Sequence, residues 1–148
     1  MKPVTVSIRV DRDPAEVYAF LEVLANHERF NDHLMTGWEV SGRTTGLGAK
    51  ATAMAKLAGR REPVEIEVIE TTVATTLVER NVSHRGVRVA IGTYRIAPVP
   101  GGARVTFEYA WEHAPRVERL AAPLVRALMR RALQRSMDRL ADELSAPG

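Results

Sequence analysis

The sequence predicts an α+β fold in which a curved antiparallel sheet of seven strands wraps around a long C-terminal helix. Three observations carry this prediction. A strand pattern near the N-terminus is followed by two short helical segments, six further segments alternate with a period of two, and residues 115–144 have the period of a helix. At 148 residues without a linker or an internal repeat, residues 1–148 are expected to form a single domain.

The N-terminal elements have clear boundaries. Residues 4–10 alternate between apolar and polar side chains, which predicts a half-buried strand. Asp13 is expected to cap the next helix, with a proline at its first position and Glu16 able to reach back to the cap. A second short helix is predicted with Asn26 as its cap and Phe30 as its apolar anchor.

From residue 35 to residue 112, the side-chain pattern has the period of two that is typical of strands. Strands are predicted at 36–43, 48–57, 62–71, 75–83, 87–98 and 102–112, separated by glycines, by the stretch at 71–75 and by a Pro-Gly-Gly turn. One face of the second of these strands carries only alanines, at positions 49, 51, 53 and 55. A face of methyl groups leaves room for a bulky neighbour or for a cavity.

The strands at 75–83 and 87–98 allow two assignments of the inner face. Their valines could share that face across the turn between them. The Pro-Gly-Gly turn, however, most simply pairs Tyr94 with Phe107 and Ile96 with Val105 on the same face. Because the two arrangements cannot both hold without a change of register, a β-bulge is predicted near Gly92.

The C-terminal helix has an apolar stripe that winds around it. One row recurs every four residues, at Leu124, Leu128, Ala132, Ser136, Leu140 and Leu144. A repeat of four exceeds the helical 3.6, so each step turns the row by about 40°. Such a stripe suits a twisted, curved sheet, and a sheet with one helix across its mouth often leaves a pocket for a small apolar ligand.

The composition limits the location and the chemistry of the protein. There is no cysteine, which excludes disulfides and thiolate metal sites. The N-terminus lacks the apolar run of a signal peptide, and no window reaches the length of a membrane span. We therefore expect a cytoplasmic protein.

Arginines are concentrated in the C-terminal segment. Seven of them lie between residues 116 and 139, and four acidic residues in the segment leave it with a net charge of +3. This charge would suit an anionic partner such as a phospholipid surface or an acyl carrier protein. Nucleic acid is not expected, since the segment has no aromatic residues to stack on bases. The alternative is a solvated face in a chain that uses arginine rather than lysine.

Several segments are informative in their order and spacing: 6–10, 13–18, the Gly-Leu-Gly turn at 46–48, 92–98, 101–106 and 133–144. In these segments the chain resembles the START-like, or birch-pollen-allergen-like, helix-grip superfamily, and within it the polyketide cyclase/dehydratase and lipid-transport group of bacteria. The resemblance implies a hydrophobic ligand held between sheet and helix. Neither a cofactor nor a metal is expected. Members commonly carry Pro-x-Trp after the second helix, whereas this chain has Phe-Asn-Asp-His at 30–33, and Trp38 is expected to take part of that role.

Twelve residues are expected to line the pocket: Phe30, Trp38, Ala53, Ile66, Arg80, Tyr94, Phe107, Tyr109, Trp111, Met129, Leu133 and Met137. The aromatic and methionine side chains among them could equally form a plain packed core.

Polar residues in the strand at 75–83 offer candidates for chemistry. Either Arg80 or the pair Glu79 and Asn81 must point inward, and a buried charge would then orient a ligand. If the protein is an enzyme, Arg80, Tyr94 or His33 would polarise a carbonyl or move a proton. Alternatively, the polar side chains form a solvated outer face and the histidines lie in solvated loops.

The sequence thus supports three functions. The first is a carrier or binding domain for a lipid, a polyketide or a quinone-like molecule. The second is an enzyme of the aromatase/cyclase or dehydratase kind that needs no cofactor. The third is a module that binds a partner or a membrane surface through its arginine-rich helix. The sequence leaves the choice among them, and the oligomeric state, open.

Overall fold

A computed structural model describes residues 1–57 and 59–145 of the chain and confirms the predicted α+β fold. Each strand lies within two residues of its predicted bounds. The elements are β1 (Val4–Val10), α1 (Pro14–Leu21), α2 (His27–Asn31), β2 (Met35–Ser41), β3 (Lys50–Leu57), β4 (Arg60–Thr72), β5 (Thr76–Ser83), β6 (Arg88–Val99), β7 (Gly102–His113), α3 (Arg116–Leu120) and α4 (Ala122–Ser145).

The seven strands form one antiparallel sheet in the order β1-β7-β6-β5-β4-β3-β2. Strands β2 to β7 follow one another as a meander, and β1 returns to pair with β7. The core lies between one face of this sheet and the helices α1, α2 and α4. Its largest fully buried side chains include Leu21, Phe30, Tyr94 and Leu140.

The first two helices begin differently from one another. The side chain of Asp13 accepts a hydrogen bond of 3.0 Å from the backbone N–H of Glu16, which confirms the predicted cap of α1. The predicted cap of α2 is wrong, because the side chain of Asn26 donates instead to the carbonyl oxygen of Phe20 at 2.9 Å. A short 3₁₀ turn runs directly into α2, so Asn26 already has helical φ and ψ and lacks the extended geometry of a cap.

The inner face of the sheet follows the second of the two assignments. Tyr94 pairs with Phe107 and Ile96 with Val105, as the Pro-Gly-Gly turn predicted. The bulge predicted near Gly92 does not lie between β5 and β6, which pair in continuous register. No change of register is needed to reconcile the two assignments, since the valines of β5 face outward and polar residues take the inner positions. The register shift of β6 against β7 lies instead at positions 89 and 90.

The predicted C-terminal helix is divided in two. Ala121 leaves helical geometry, with φ of −99° and ψ of 25°, and α4 begins just before Pro123. Proline has no N–H to donate and restricts the residue before it, which favours a break at this position. Only the C-terminal half of the winding apolar row is buried, while Leu124 and Leu128 are exposed. Within the described residues, no helix has the length and apolar composition needed to cross a membrane.

Helix α4 lies along the free edge of β1. Arg126 donates to the two carbonyl oxygens that precede β1, both at 3.0 Å, and Arg130 donates to the carbonyl of Thr5 at 3.1 Å. Gln134 donates more weakly to the carbonyl of Ser7, at 3.5 Å. Donors spaced by four residues on the helix therefore match alternate carbonyls of the strand. They cover an edge that would otherwise be open to pairing with another chain.

Candidate functional site

A cavity of about 80 Å³ lies between the inner face of the sheet and α4. It can hold a few water molecules but is much smaller than the several hundred Å³ of typical ligand pockets. The residues that line it are Asn31, Leu34, Met35, Ala55, Val64, Glu79, Asn81, Ser83, Arg88, Tyr94, Phe107, Tyr109, Met129, Leu133, Ser136 and Met137.

One wall of the cavity is polar because of the alternation in β5. Successive side chains of a strand point to opposite faces, so Glu79, Asn81 and Ser83 share the inner face. The apolar wall comes from β7 and α4, including Phe107 and Leu133. The cavity is therefore amphipathic, and one strand contributes three of its polar groups.

Glu79 faces His27 inside the protein. The two side chains are 4% and 0% exposed, and Oε2 of Glu79 lies 3.8 Å from Nδ1 of His27. The other ring nitrogen, Nε2, lies 2.7 Å from the carbonyl oxygen of Leu21. Because a carbonyl can only accept, Nε2 must carry the proton, and in the neutral ring a lone pair on Nδ1 points at the carboxyl. At 3.8 Å, however, Nδ1 and Oε2 are too far apart to form a hydrogen bond with each other.

Burial shifts both groups toward their neutral forms. It raises the pKa of Glu79 from 4.5 to about 7, although a hydrogen bond from Asn81 to the carboxylate opposes the shift. Burial also lowers the pKa of His27 from 6.5 to about 4, against the effect of the Leu21 carbonyl. Near pH 7 the imidazole is therefore neutral, while the carboxyl can gain or lose a proton. This is the range in which a general acid or base is most effective.

Three acceptors at this place have no hydrogen-bond partner among the described residues. They are Oε2 of Glu79, Oδ1 of Asn81 and Nδ1 of His27. Buried polar atoms without partners are costly, so a group that supplies a donor would be held firmly here. The arrangement can accept a hydroxyl, a phenol or an amine.

Two tyrosines provide donors beside these acceptors. Tyr94 is buried, its ring lies edge-on to His27 with centroids 5.6 Å apart, and its hydroxyl is hydrogen-bonded to Asn31. Burial raises the pKa of Tyr94 well above its usual value, and it also raises that of Tyr109. Both hydroxyls stay protonated at neutral pH and can each donate one hydrogen bond.

Arg88 closes the polar end of the cavity with an ion-pair network. Its guanidinium is paired with the carboxylates of Glu62 and Glu118 and donates to Oγ of Ser83 at 2.9 Å. Glu118 belongs to α3, so the network ties that helix to the sheet. With two carboxylates around it, Arg88 is not available to hold an anionic ligand.

The structure places half of the predicted lining residues at the cavity: Tyr94, Phe107, Tyr109, Met129, Leu133 and Met137. Phe30 is fully buried beneath His27, and Trp38 packs half-buried against the core. Ala53 and Ile66 pack in a separate cluster, and Trp111 stands beside Tyr109 without reaching the cavity.

The structure differs from the expectation for two of the three catalytic candidates. Arg80 is exposed on the outer face, because its neighbour Glu79 takes the inner position. His33 lies outside the cavity, where Nε2 is 3.0 Å from the carbonyl oxygen of Ala132 and Nδ1 is 3.2 Å from Arg139. Burial lowers the pKa of His33, and the side chain joins the end of α2 to α4. Of the three, Tyr94 alone lines the cavity.

Several cavity residues carried no signal that predicted their position. Arg88 stands at the start of a strand, where the pattern leaves its direction open. Ser136 did carry a signal, since it interrupts a row of apolar residues on α4 and faces inward. Among the described residues, no group of three or more His, Asp or Glu side chains is arranged to hold a metal ion.

Comparison with known proteins gives a family and a fold. The family model described as polyketide cyclase/dehydrase and lipid transport matches residues 1–145. Among solved structures, TTHA0849 from Thermus thermophilus is 20% identical, with a TM-score of 0.74 and 97% of each chain covered. The KanY protein (ms6282) is 16% identical, with a TM-score of 0.78 and 98% of each chain covered. CV1439 from Chromobacterium violaceum is 13% identical, with a TM-score of 0.73, and 99% of this chain and 100% of that one are covered.

No curated protein matches the sequence significantly. At such low identities the solved structures show the fold alone, which is the predicted helix grip. The family model carries more, since it matches nearly the whole chain and describes a fold that binds hydrophobic molecules. The chain therefore belongs to the polyketide cyclase/dehydrase and lipid transport family.

Proposed function

We propose that this protein binds and carries a hydrophobic small molecule, such as a lipid, a polyketide or a quinone-like compound, between the sheet and α4. The observation that supports this best is the amphipathic cavity, whose apolar wall faces acceptors without partners. An apolar body would pack against Phe107 and Leu133. A polar end would reach Glu79 and Asn81.

The cavity must widen to admit such a molecule. Three of its lining side chains are methionines, Met35, Met129 and Met137, which are unbranched and change conformation easily. Helix α4 packs mainly along β1 and α2, so side chains rather than backbone fill much of the space above the central strands. Displacement of the methionines is the least costly way to make room.

The free acceptors define the ligand further. A hydroxyl, phenol or amine would supply the missing donor, whereas a carbonyl or ether oxygen in the same place would face other acceptors. The proposed ligands are therefore hydroxylated lipids or polyketides, or reduced quinones. A buried site that hydrogen-bonds a donor discriminates strongly against an analogue that lacks it.

A second function, catalysis of the cyclase or dehydratase type, is favoured by the pair of Glu79 and His27. A carboxyl that exchanges its proton near pH 7 can take a proton from a carbon next to a carbonyl. Tyr94 lines the same cavity and could donate a hydrogen bond to the carbonyl oxygen as negative charge develops there. In a dehydration, the proton held by Glu79 would then return to the departing hydroxide as water.

Binding of two matched probes tests the proposal. We expect 1-naphthol to bind at least about tenfold more tightly than 1-methoxynaphthalene, which has the same body without a donor. The measurement is isothermal titration calorimetry, supported by native mass spectrometry of the freshly purified protein. In Asn81→Leu we expect the preference for naphthol to fall. In Arg80→Leu, its exposed neighbour, we expect the preference to stay.

The same spectra separate the two functions. A co-purified or added hydroxylated ligand recovered with unchanged mass indicates a carrier, and recovery of a cyclised or dehydrated product indicates an enzyme. Equal binding of both probes would contradict the assignment of the acceptors. Absence of any bound molecule, both from the purified protein and after incubation with either probe, would contradict the binding function itself.

A further inference from the structure

An apolar row on α3 and on the first half of α4 is exposed. The fractional exposures of Val117, Leu120, Leu124 and Leu128 are 76%, 86%, 62% and 56%. Leu124 and Leu128 are one helical turn apart, and Leu133 and Met137 line the cavity from the opposite side of the helix. The row is therefore separate from the ligand cavity, and nothing in the described chain packs over it.

The composition of this helix face changes along its length. Arg131 and Arg135 follow Leu124 and Leu128 by two turns, so they continue the same face. Asp138 continues it further. Both arginines are exposed. From its N-terminal end, the face is thus apolar, then basic, then acidic.

The segment that carries the row is strongly basic. Residues 116–135 contain six arginines and a single acidic residue, Glu118, for a net charge of +5. Glu118 is already paired with the buried Arg88. Arg126 and Arg130 bond neutral carbonyls of β1 and keep their charges. The whole surface around the leucines is therefore positive.

We propose that α3 and the N-terminal half of α4 form a docking surface for anionic phospholipid membranes. Exposed leucines flanked by arginines are typical of helices that lie at a membrane surface, with the apolar side chains at the boundary of the acyl chains. Arg131 and Arg135 then reach the phosphate groups, and each arginine near an anionic surface strengthens binding about fivefold. Asp138 is repelled, which limits the contact to the N-terminal half of α4.

This geometry brings the cavity close to the lipid. The docked face and the face that lines the cavity belong to the same helix, whose diameter with side chains is about 10 Å. The proposal stands without the function of the cavity, since it rests on exposure and charge alone. If the cavity does carry a lipid, docking would place its wall one helix away from the source.

Sedimentation with vesicles tests the proposal. We expect the protein to bind vesicles of phosphatidylcholine and phosphatidylglycerol in equal parts, to bind pure phosphatidylcholine at least about tenfold more weakly, and to lose the difference as sodium chloride rises. Leu120→Gln with Leu124→Gln should weaken binding at least about tenfold. Val73→Gln with Val87→Gln is the control, since both valines are exposed elsewhere.

The arginines are tested in the same way. Arg131→Gln with Arg135→Gln should remove most of the preference for anionic vesicles, about tenfold or more. Arg60→Gln with Arg104→Gln, two exposed positions on the sheet, should not. Unchanged thermal melting by circular dichroism confirms that each variant is folded.

Three results would overturn the proposal. One is equal affinity for neutral and anionic vesicles, and another is unchanged binding after the leucine substitutions. The third is a concentration-dependent dimer that these substitutions abolish, in a protein that binds no vesicles, because a second copy of the chain would then cover the row.

Discussion

Glu79 is a buried carboxyl whose nearest ionisable neighbour is a histidine that burial keeps neutral. Such a group is costly to fold around, because the charged form has lost its water and has no full positive charge beside it. His27 does little to reduce this cost, because its Nδ1 lies 3.8 Å from the carboxyl, beyond hydrogen-bond distance. Buried titratable groups of this kind are more common at functional sites than elsewhere, which supports the placement of the polar end of a ligand here.

The pKa shifts predict how stability depends on pH. The carboxyl of Glu79 has a pKa of about 7 in the folded state against 4.5 ordinarily, so its contribution to stability is full below pH 4.5 and is lost as pH rises to 7. The imidazole of His27 acts in the opposite sense, since its pKa falls from 6.5 to about 4 and its contribution is lost as pH falls through that range. The two contributions largely cancel between pH 4.5 and 6.5.

Substitution of Glu79 by Gln should therefore remove the loss of stability that the carboxyl causes at higher pH. We expect Glu79→Gln to gain stability relative to the wild type between pH 5 and 8, by up to about 3 kcal/mol. Urea unfolding at several pH values measures this difference, and Glu65→Gln on the exposed outer face is the matched control. Parallel pH profiles for wild type and Glu79→Gln would show that the carboxyl is not shifted.

At the residue scale, the sequence identified the polar side chains of β5 that could matter, but it did not show which of them face the inside of the sheet. It showed that either Arg80 or Glu79 with Asn81 had to face inward, and both possibilities fit the alternation of β5. The choice depends on register with β6, where Tyr94 pairs with Leu77 and fixes odd-numbered residues of β5 on the inner face. That information lies in a neighbouring strand rather than in the residues themselves.

At the scale of elements, α4 acts as a cover for the edge of the sheet. Arg126 and Arg130 satisfy carbonyls at the edge of β1 that would otherwise face solvent or another chain. This gives part of the arginine-rich face a structural role. The remaining arginines, such as Arg131 and Arg135, point away from β1. They belong to the proposed membrane-docking surface.

Removal of the covering arginines should destabilise the edge. We expect Arg126→Ala with Arg130→Ala to lower the free energy of unfolding by about 1–3 kcal/mol, since each side chain makes charge-assisted bonds to backbone oxygens. Aggregation, followed by light scattering during urea unfolding, should increase as well. Arg131→Ala with Arg135→Ala is the control, and an equal loss of stability in the two double variants would contradict a specific role for the edge contacts.

The helices show which features of an element can be predicted from its own sequence. The cap at Asp13 was predicted from local chemistry, whereas the break before Pro123 was not, since a single helix was expected there. The exposure of Leu124 and Leu128 cannot be predicted from the sequence of α4, because their spacing is the same as that of the buried Leu140 and Leu144. Where α4 leaves the sheet depends on the length and curvature of the sheet, which no segment encodes alone.

At the scale of the whole molecule, the fold was predictable and the cavity volume was not. The apolar residues recur with the period of strands or of helices along the chain, and the order of these segments specified the sheet and the helix that crosses it. The volume of the cavity is what remains after many side chains have packed, so small differences in each of them change it by a large fraction. The alanine face of β3 indicated only that space was available.

Two alanines on that face can be used to test whether the cavity accepts a larger side chain. Ala55 lines the cavity, whereas Ala51 lies in the packed core and is 1% exposed. We expect Ala55→Leu to change the free energy of unfolding by less than about 1 kcal/mol and to abolish binding of naphthol, because the added methyl groups fill the cavity. Ala51→Leu should cost about 1–3 kcal/mol through overpacking. Urea unfolding of both variants, with the calorimetry described above, measures the contrast.

If the two leucine variants were equally destabilised, the cavity would be too rigid to accept additional atoms. The ligand would then have to enter by a movement of α4 rather than by rearrangement of side chains.

The position of β1 has a consequence for how the molecule is made. This strand is synthesised early, yet its partner at Tyr109 of β7 lies more than a hundred residues later, and the helix that covers its other edge comes later still. Closing so long a loop is slow. During translation the strand must therefore wait, unpaired and exposed, until β7 and then α4 have emerged from the ribosome, and this interval is when the nascent chain is most vulnerable to association with its neighbours.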